Sequence, residues 1–251
     1  MTFFIRNQLR NSEKIFCLLL SLAFLNVSLL DASEISSNHE NLRNIIIDPA
    51  HGGADKGRVG KMGLLEKDVT LQVSLHFKKL ASEELKMNIV MTREGDYDVP
   101  LEKRMFPSME GDSSFFISIH TGPEYSEMLN GLGIYYLNSE TIREELTENN
   151  ESEDLEAEKL LRDMALSEYA NKGERMAELI ERNLIKTIPN HEIIVETLSE
   201  SILRDINKPV VLIEIGNITD PEVEKKLNDR GYIDKICRAI LNAIKEYDEK
   251  E

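Results

Sequence analysis

Apolar and polar positions along the chain follow two different periods. Asn44-Ile45-Ile46-Ile47 is a short β-branched run closed by Asp48-Pro49, and such a run bounded by a turn signal predicts a buried strand. By the same pattern strands are expected at Asn88–Thr92, Ser114–Ile119, Gly133–Leu137 and Pro209–Ile215. Between them, apolar residues recur at helical spacing in Lys67–Leu85, in Leu101–Met109, from about Asp154 to Lys186, and in Asp229–Tyr247. Strands alternating with helices predict an α/β fold, a three-layer αβα single domain with a mostly parallel central sheet. In such sheets binding sites gather just beyond the carboxyl ends of the strands.

The amino-terminal segment does not belong to this alternation. Arg6, Arg10 and Lys14 precede an apolar run from Ile15 to Leu30, broken only by Ser21, Asn26 and Ser28. A positive flank before a short apolar stretch predicts a signal peptide over residues 1–32. The run is short for a bilayer-spanning helix, which takes about 20 apolar residues. The indifferent cleavage context at Leu30-Asp31-Ala32 keeps an uncleaved anchor as the alternative, and membrane contact is expected only if the leader is retained. Residues 33–42 form a polar lead-in, and the folded domain is expected over 43–251.

Composition narrows the function classes. The chain has 251 residues with 41% hydrophobic and 30% charged, as a soluble globular enzyme has, and a formal net charge of −16. That charge repels nucleic-acid phosphates and argues against a nucleic-acid partner. Much of it is local: between Ser139 and Ala170 there are eleven acidic residues against three basic ones. This stretch reads as an acidic insertion, at about 139–170, between two strands. With the leader gone, Cys237 is the last cysteine, so no internal disulfide is expected. It sits on the apolar face Ile233, Ile236, Ile240, Leu241, Ile244, which predicts a buried inert thiol.

Candidate chemistry lies where the predicted strands end. Asp48-Pro49-Ala50-His51-Gly52-Gly53 follows the first strand, and its glycines allow a tight turn close to a ligand. Glu66 begins a helix after the Gly60–Gly63 turn, His120 ends the strand Phe115–Ile119, and Glu214 ends Val210–Ile213. Two histidines and a carboxylate are a known ligand set for catalytic zinc, which keeps a fourth position for water. A second carboxylate at such a site can carry the proton from water to the leaving group. His39, His76 and His191 fall in a polar segment, on a helix and in a loop, and are expected to be surface or boundary residues.

These blocks resemble a known family. IIIDPAHGGADKGRVGKMGLLEKDVTL, from Ile45 to Leu71, is similar to the opening signature of the family 3 N-acetylmuramoyl-L-alanine amidases. Met91-Thr92-Arg93 with Asp96, Leu101 and Arg104 is similar to their next block. Ser118-Ile119-His120, Gly133 with Tyr135-Tyr136-Leu137, and Ile213-Glu214-x-Gly216 resemble the remaining ones. The resemblance implies a zinc-dependent peptidoglycan amidase whose catalytic domain is 43–251. It implies Zn2+ on His51, Glu66 and His120, and Glu214 as the catalytic carboxylate. The implied reaction cleaves the amide between N-acetylmuramic acid and the L-alanine of the stem peptide. Peptidoglycan is then the substrate, and the location is exported, periplasmic or extracellular and cell-wall associated.

Arg93 and Arg104 are candidate partners for a substrate carboxylate, with structural ion pairing to Asp96 or Glu102 as the alternative. Ala50 stands where the family usually has glycine, which requires a backbone there outside the positive-φ region. Thr121-Gly122, Pro107-Ser108 and Asn217 also depart from the family pattern. They raise the alternative of a catalytically impaired homologue that binds peptidoglycan or regulates wall turnover; a zinc exopeptidase of related architecture, which also uses two histidines and a carboxylate, is a further alternative. Some family members carry a helix over the metal that an activator protein displaces. The acidic insertion is a candidate for that role, with Glu156, Glu158, Asp163 and Glu168 as candidate blocking carboxylates; a solvated acidic helix is the alternative.

Overall fold

A computed structural model describes residues 44–85, 87–104, 115–122, 131–137, 156–198, 206 and 208–249. Six strands form one sheet: β1 (Asn44–Pro49), β2 (Asn88–Met91), β3 (Phe115–His120), β4 (Leu132–Leu137), β5 (Ile193–Leu198) and β6 (Val210–Glu214). Their order is β2-β1-β3-β6-β4-β5. All neighbouring pairs run parallel except β4 and β6, which pair antiparallel with Gly133 opposite Glu214. The expected mostly parallel sheet is present, with one reversed seam beside the strand that carries Glu214.

Among the described residues four longer helices accompany it: α1 (Glu66–Glu84), α2 (Glu156–Thr187), α3 (Pro221–Leu227) and α4 (Arg230–Asp248). Alternate strand residues face opposite sides, and the two sides are unequal. Ile45, Ile47, Ile117, Ile119, Val211 and Ile213 pack on one side against Val73 and Phe77 of α1, Ile180 and Leu184 of α2, and Ile236 and Ile240 of α4. The intervening residues Ile46, Phe116, Tyr135 and Leu212 form a smaller cluster on the other side, with Ala170 and the partly buried Leu166 from the first half of α2. Cys237 is buried in the larger core, and burial pushes its thiol far up, as an inert side chain requires.

Two elements were not anticipated. β5 is a half-exposed edge strand, so it lacks a continuous buried face. α3 is only seven residues long, yet it starts on a clear signal: Asp220 accepts from the amides of Glu222 and Val223, and Pro221 opens the helix. The region expected as Leu101–Met109 is helical at 101–104, and its remainder lies outside the described residues. The leader, the lead-in 33–42 and residues 139–155 of the acidic insertion also lie outside them, while 156–170 form the start of α2. Among the described residues no helix is long and apolar enough to cross a membrane.

Candidate metal centre

The carboxyl ends of β1, β3 and β6 lie side by side, with Asp48 opposite Ser118 and His120 opposite Glu214. Past β1 the chain keeps pairing for one residue, the Ala50 amide donating to the Ile119 carbonyl at 3.1 Å. Ala50 avoids positive φ, as its side chain demands, and the turn falls on the next residue: His51 has φ 61°. A non-glycine residue there is uncommon and strained, and it persists only when its surroundings fix it.

Two arginines fix it. Arg93 is fully buried. It donates to the carbonyls of Pro49 at 2.9 Å, Ala50 at 2.8 Å, Lys67 at 2.8 Å and Gly95 at 3.2 Å. Arg104 donates to the His51 carbonyl at 2.7 Å and to the Pro49 carbonyl at 2.9 Å, and pairs with Asp48 at 2.9 Å. In this structure both guanidiniums are engaged with the backbone that presents His51. The anticipated partners differ. Asp96 binds the Lys67 ammonium at 2.7 Å and the Gly53 amide at 2.8 Å, and the acid paired with Arg104 is Asp48.

His51, Glu66 and His120 converge, each offering a ligand atom, with all three atoms within 4.8 Å of one another. His51 Nε2 stands 3.2 Å from one Glu66 oxygen, and His120 Nδ1 stands 3.7 Å from the other. Ligands on a tetrahedral zinc with bonds of about 2.0–2.1 Å are separated by roughly 3.3 Å, so these spacings suit a common ion. The donor set is also the right kind. His51 Nε2 is buried, and although close to Glu66 it lacks hydrogen-bond geometry to any partner. A buried ring nitrogen left that way, facing a carboxylate and a second imidazole, fits a metal position.

His51 and Glu66 are held from behind. His51 Nδ1 lies 2.8 Å from Asp55 Oδ2, while Asp55 Oδ1 accepts from the Gly57 amide at 3.0 Å. This fixes the ring so that Nε2 points inward, as metal-binding histidines are usually arranged. Glu66 is fully buried at the start of α1. One of its oxygens accepts from the Thr121 amide at 2.7 Å and the other from the Arg58 amide at 2.9 Å. Gly57 passes so close that a Cβ would collide with the His51 ring and Glu66 Oε2, at a φ of 60° that also favours glycine. The hairpin-like loop before Glu66 is pinned by buried Glu224 of α3, which accepts from the amides of Met62 at 2.8 Å and Leu64 at 2.9 Å.

The electrostatics favour cations here. Burial alone would make the His51 ring harder to charge, but Glu66 and Asp55 outweigh it and push its pKa up to about 9. Burial likewise works to raise the Glu66 carboxyl, and the contacts from His51 and the Arg58 and Thr121 amides bring it below the ordinary range. A carboxylate that is ionised although buried is a strong hard-ligand donor. Glu214 is fully buried on β6 beside His120, and its Oε2 accepts from the Tyr135 hydroxyl at 3.0 Å.

Of the candidate blocking carboxylates, Glu168 pairs with Lys172 at 2.8 Å on the exposed side of α2, and half-buried Asp163 does not join the three ligands. The side chains of Glu156 and Glu158 lie outside the described residues. His76 pairs with Asp234 at 2.9 Å and His191 lies 3.2 Å from the Ile188 carbonyl, away from the site as expected. Two site residues escaped the sequence: Asp55 and Tyr135. Asp55 carried a signal, four residues after His51 in a glycine-flanked loop. Tyr135 stood in a family-like block, but its partner was not readable there, because it depends on the reversed β4–β6 pairing.

Comparison with known proteins identifies the family. The N-acetylmuramoyl-L-alanine amidase family profile matches residues 45–246. A Buchnera aphidicola (subsp. Schizaphis graminum) protein that carries the amidase name is 30% identical over 80% of this chain and 95% of its own length. The amidase AmiC of Escherichia coli is 28% identical over 81% of the chain, which spans about half (52%) of that longer relative. Among solved structures, the amidase AmiC2 of Nostoc punctiforme superposes with a TM-score of 0.63 at 26% identity, covering 81% of this chain and 96% of that one. The fold with its His–Glu–His pocket thus falls in a class of wall-acting hydrolases. The chain belongs to the N-acetylmuramoyl-L-alanine amidase family.

Proposed function

We propose that this peptidoglycan amidase hydrolyses the amide joining the lactyl group of N-acetylmuramic acid to L-alanine, with zinc held by His51, Glu66 and His120. The observation that carries the reading is the convergence of those three ligand atoms within 4.8 Å on strand ends next to Glu214. Zinc, when bound, supplies a Lewis acid for the scissile carbonyl and makes water acidic enough to deprotonate near neutrality. The protein residues do the rest. Asp55 keeps the His51 ring oriented, the Arg58 and Thr121 amides keep Glu66 ionised, and Glu214 takes the proton from the attacking water and returns it to the departing nitrogen. The donor set and the buried, unsatisfied His51 Nε2 support the metal, and the family supports the substrate.

The proposal extends to location and control. The charged flank and apolar run at the amino terminus support export to the periplasm or wall, with residues 1–32 as the leader and 43–251 as the catalytic domain. The full burial of Glu214 supports a gated site, since water and substrate need access to it. A protein partner acting on the acidic insertion is the proposed opener. Incubating the protein with sacculi and weighing the released products tests the reaction. Free stem peptides that vanish with chelator are expected. Released single amino acids would point to an exopeptidase, and no product despite bound zinc to an impaired homologue. Shortening the insertion within 140–155 is expected to raise basal hydrolysis, and unchanged or lower hydrolysis would remove the gate.

A further inference from the structure

Resting on that reading of Glu214, we infer that Tyr135 is a positioning residue for the catalytic carboxylate, and that Gly133 is the clearance that lets it serve. The two tyrosines of β4 face opposite ways. Tyr136 looks toward α2, where its hydroxyl lies 3.1 Å from Glu174 at the surface. Tyr135 faces the other side of the sheet and is fully buried among Ile46, Phe116 and Leu212. A phenylalanine would fill that cluster equally well. The hydroxyl has a different use: it donates to Glu214 Oε2 at 3.0 Å, a contact between two wholly buried groups.

The reversed seam makes this contact available. Because β4 pairs antiparallel with β6, Gly133 lies directly opposite Glu214, and Tyr135 is two residues on, on the same face. The tyrosine ring leans back over Gly133 to bring its hydroxyl to the carboxylate. A Cβ on Gly133 would sit 2.6 Å from both Cε2 and Oη of Tyr135, inside van der Waals contact. The backbone at Gly133 needs no glycine for its own conformation, since its φ is not positive. Its smallness serves the tyrosine. The strand therefore carries a glycine–x–tyrosine pair whose function is a hydrogen bond to Glu214.

A carboxylate that shuttles a proton has to keep one orientation through the reaction, and a small displacement of a reacting group costs rate steeply. A neutral hydroxyl donor holds Oε2 without quenching the charge and so sets the direction of Oε1. Tyr135 acts through Glu214, so its removal affects the chemical step and leaves substrate binding and metal binding in place.

Tyr135→Phe and Gly133→Ala test the inference by independent routes, one deleting the hydroxyl and the other displacing it. Each is expected to lower kcat on sacculi or a soluble muropeptide roughly 10- to 100-fold, the scale of a hydrogen bond to a charged group, with KM and zinc affinity by chelator competition close to wild type and the thermal midpoint lowered, because a buried carboxylate loses its donor. Tyr136→Phe is expected to leave kcat unchanged. In a Glu214→Gln background, Tyr135→Phe is expected to lower residual activity no further. Equal effects of Tyr135→Phe in both backgrounds, a full kcat in either single variant, or a loss confined to stability would overturn the inference while the amidase reading stood. An inactive wild-type protein with zinc bound would overturn both.

Discussion

His51 concentrates the constraints of the site. It occupies a strained backbone region, accepts orientation from Asp55 and directs Nε2 at Glu66. Asp55→Asn removes the charge behind the ring, and zinc affinity is expected to fall about 10- to 100-fold, as for other residues behind a metal ligand; competition with a chromophoric chelator measures it. In the metal-free protein the His51 pKa of about 9 lies above its ordinary 6.5. The stabilisation from this group is therefore fully present below pH 6.5 and is lost as pH rises through about 9. The thermal midpoint of the metal-free protein is expected to drop across that window, with a shallower drop in His51→Gln. Zinc takes the neutral ring, so its apparent affinity is expected to climb over the same window. Arg93 shows where the sequence was opaque. Its position beside Asp96 suggested a charged partner, yet four backbone carbonyls surround it, three of them from distant parts of the chain. Arg93→Met leaves those acceptors unpaired and is expected to cost several kcal/mol of stability, visible in denaturant unfolding.

At the scale of elements, the legible parts are those whose pattern is local. β1, β3 and β6 are short buried runs ending in Pro49, His120 and Glu214, so each strand was readable together with the candidate site residue at or just past its end. β5 was missed because its residues are half exposed, and α3 because a single capped turn pair offers too few positions for periodicity. α3 nonetheless matters to the site. Its Glu224 holds the loop that delivers Glu66, a link of 160 residues in sequence that no local pattern records. Glu224→Ala leaves the Met62 and Leu64 amides without their acceptor, at about 1–3 kcal/mol each where they are buried. The expected result is a lower thermal midpoint together with weaker zinc binding, and a change in stability alone would detach the loop from the metal site.

For the molecule as a whole, fold class was legible, and with it the edge on which candidate ligands gather, because a mostly parallel sheet collects strand termini on one edge. The reversed β4–β6 seam was not, since nothing in the Gly133–Leu137 run distinguishes one direction from the other. The domain boundary remains a prediction: a chain starting at residue 43 is expected to fold with a single transition and keep wild-type zinc affinity. The central claim is that one zinc on His51, Glu66 and His120 makes this chain an amidase. Titrating zinc into the metal-free protein while following release of stem peptides from sacculi tests it most directly. Activity is expected to rise linearly and saturate at one zinc per chain, and to stay absent in His51→Ala at the same zinc. Full activity in the metal-free protein, or in His51→Ala, would contradict it.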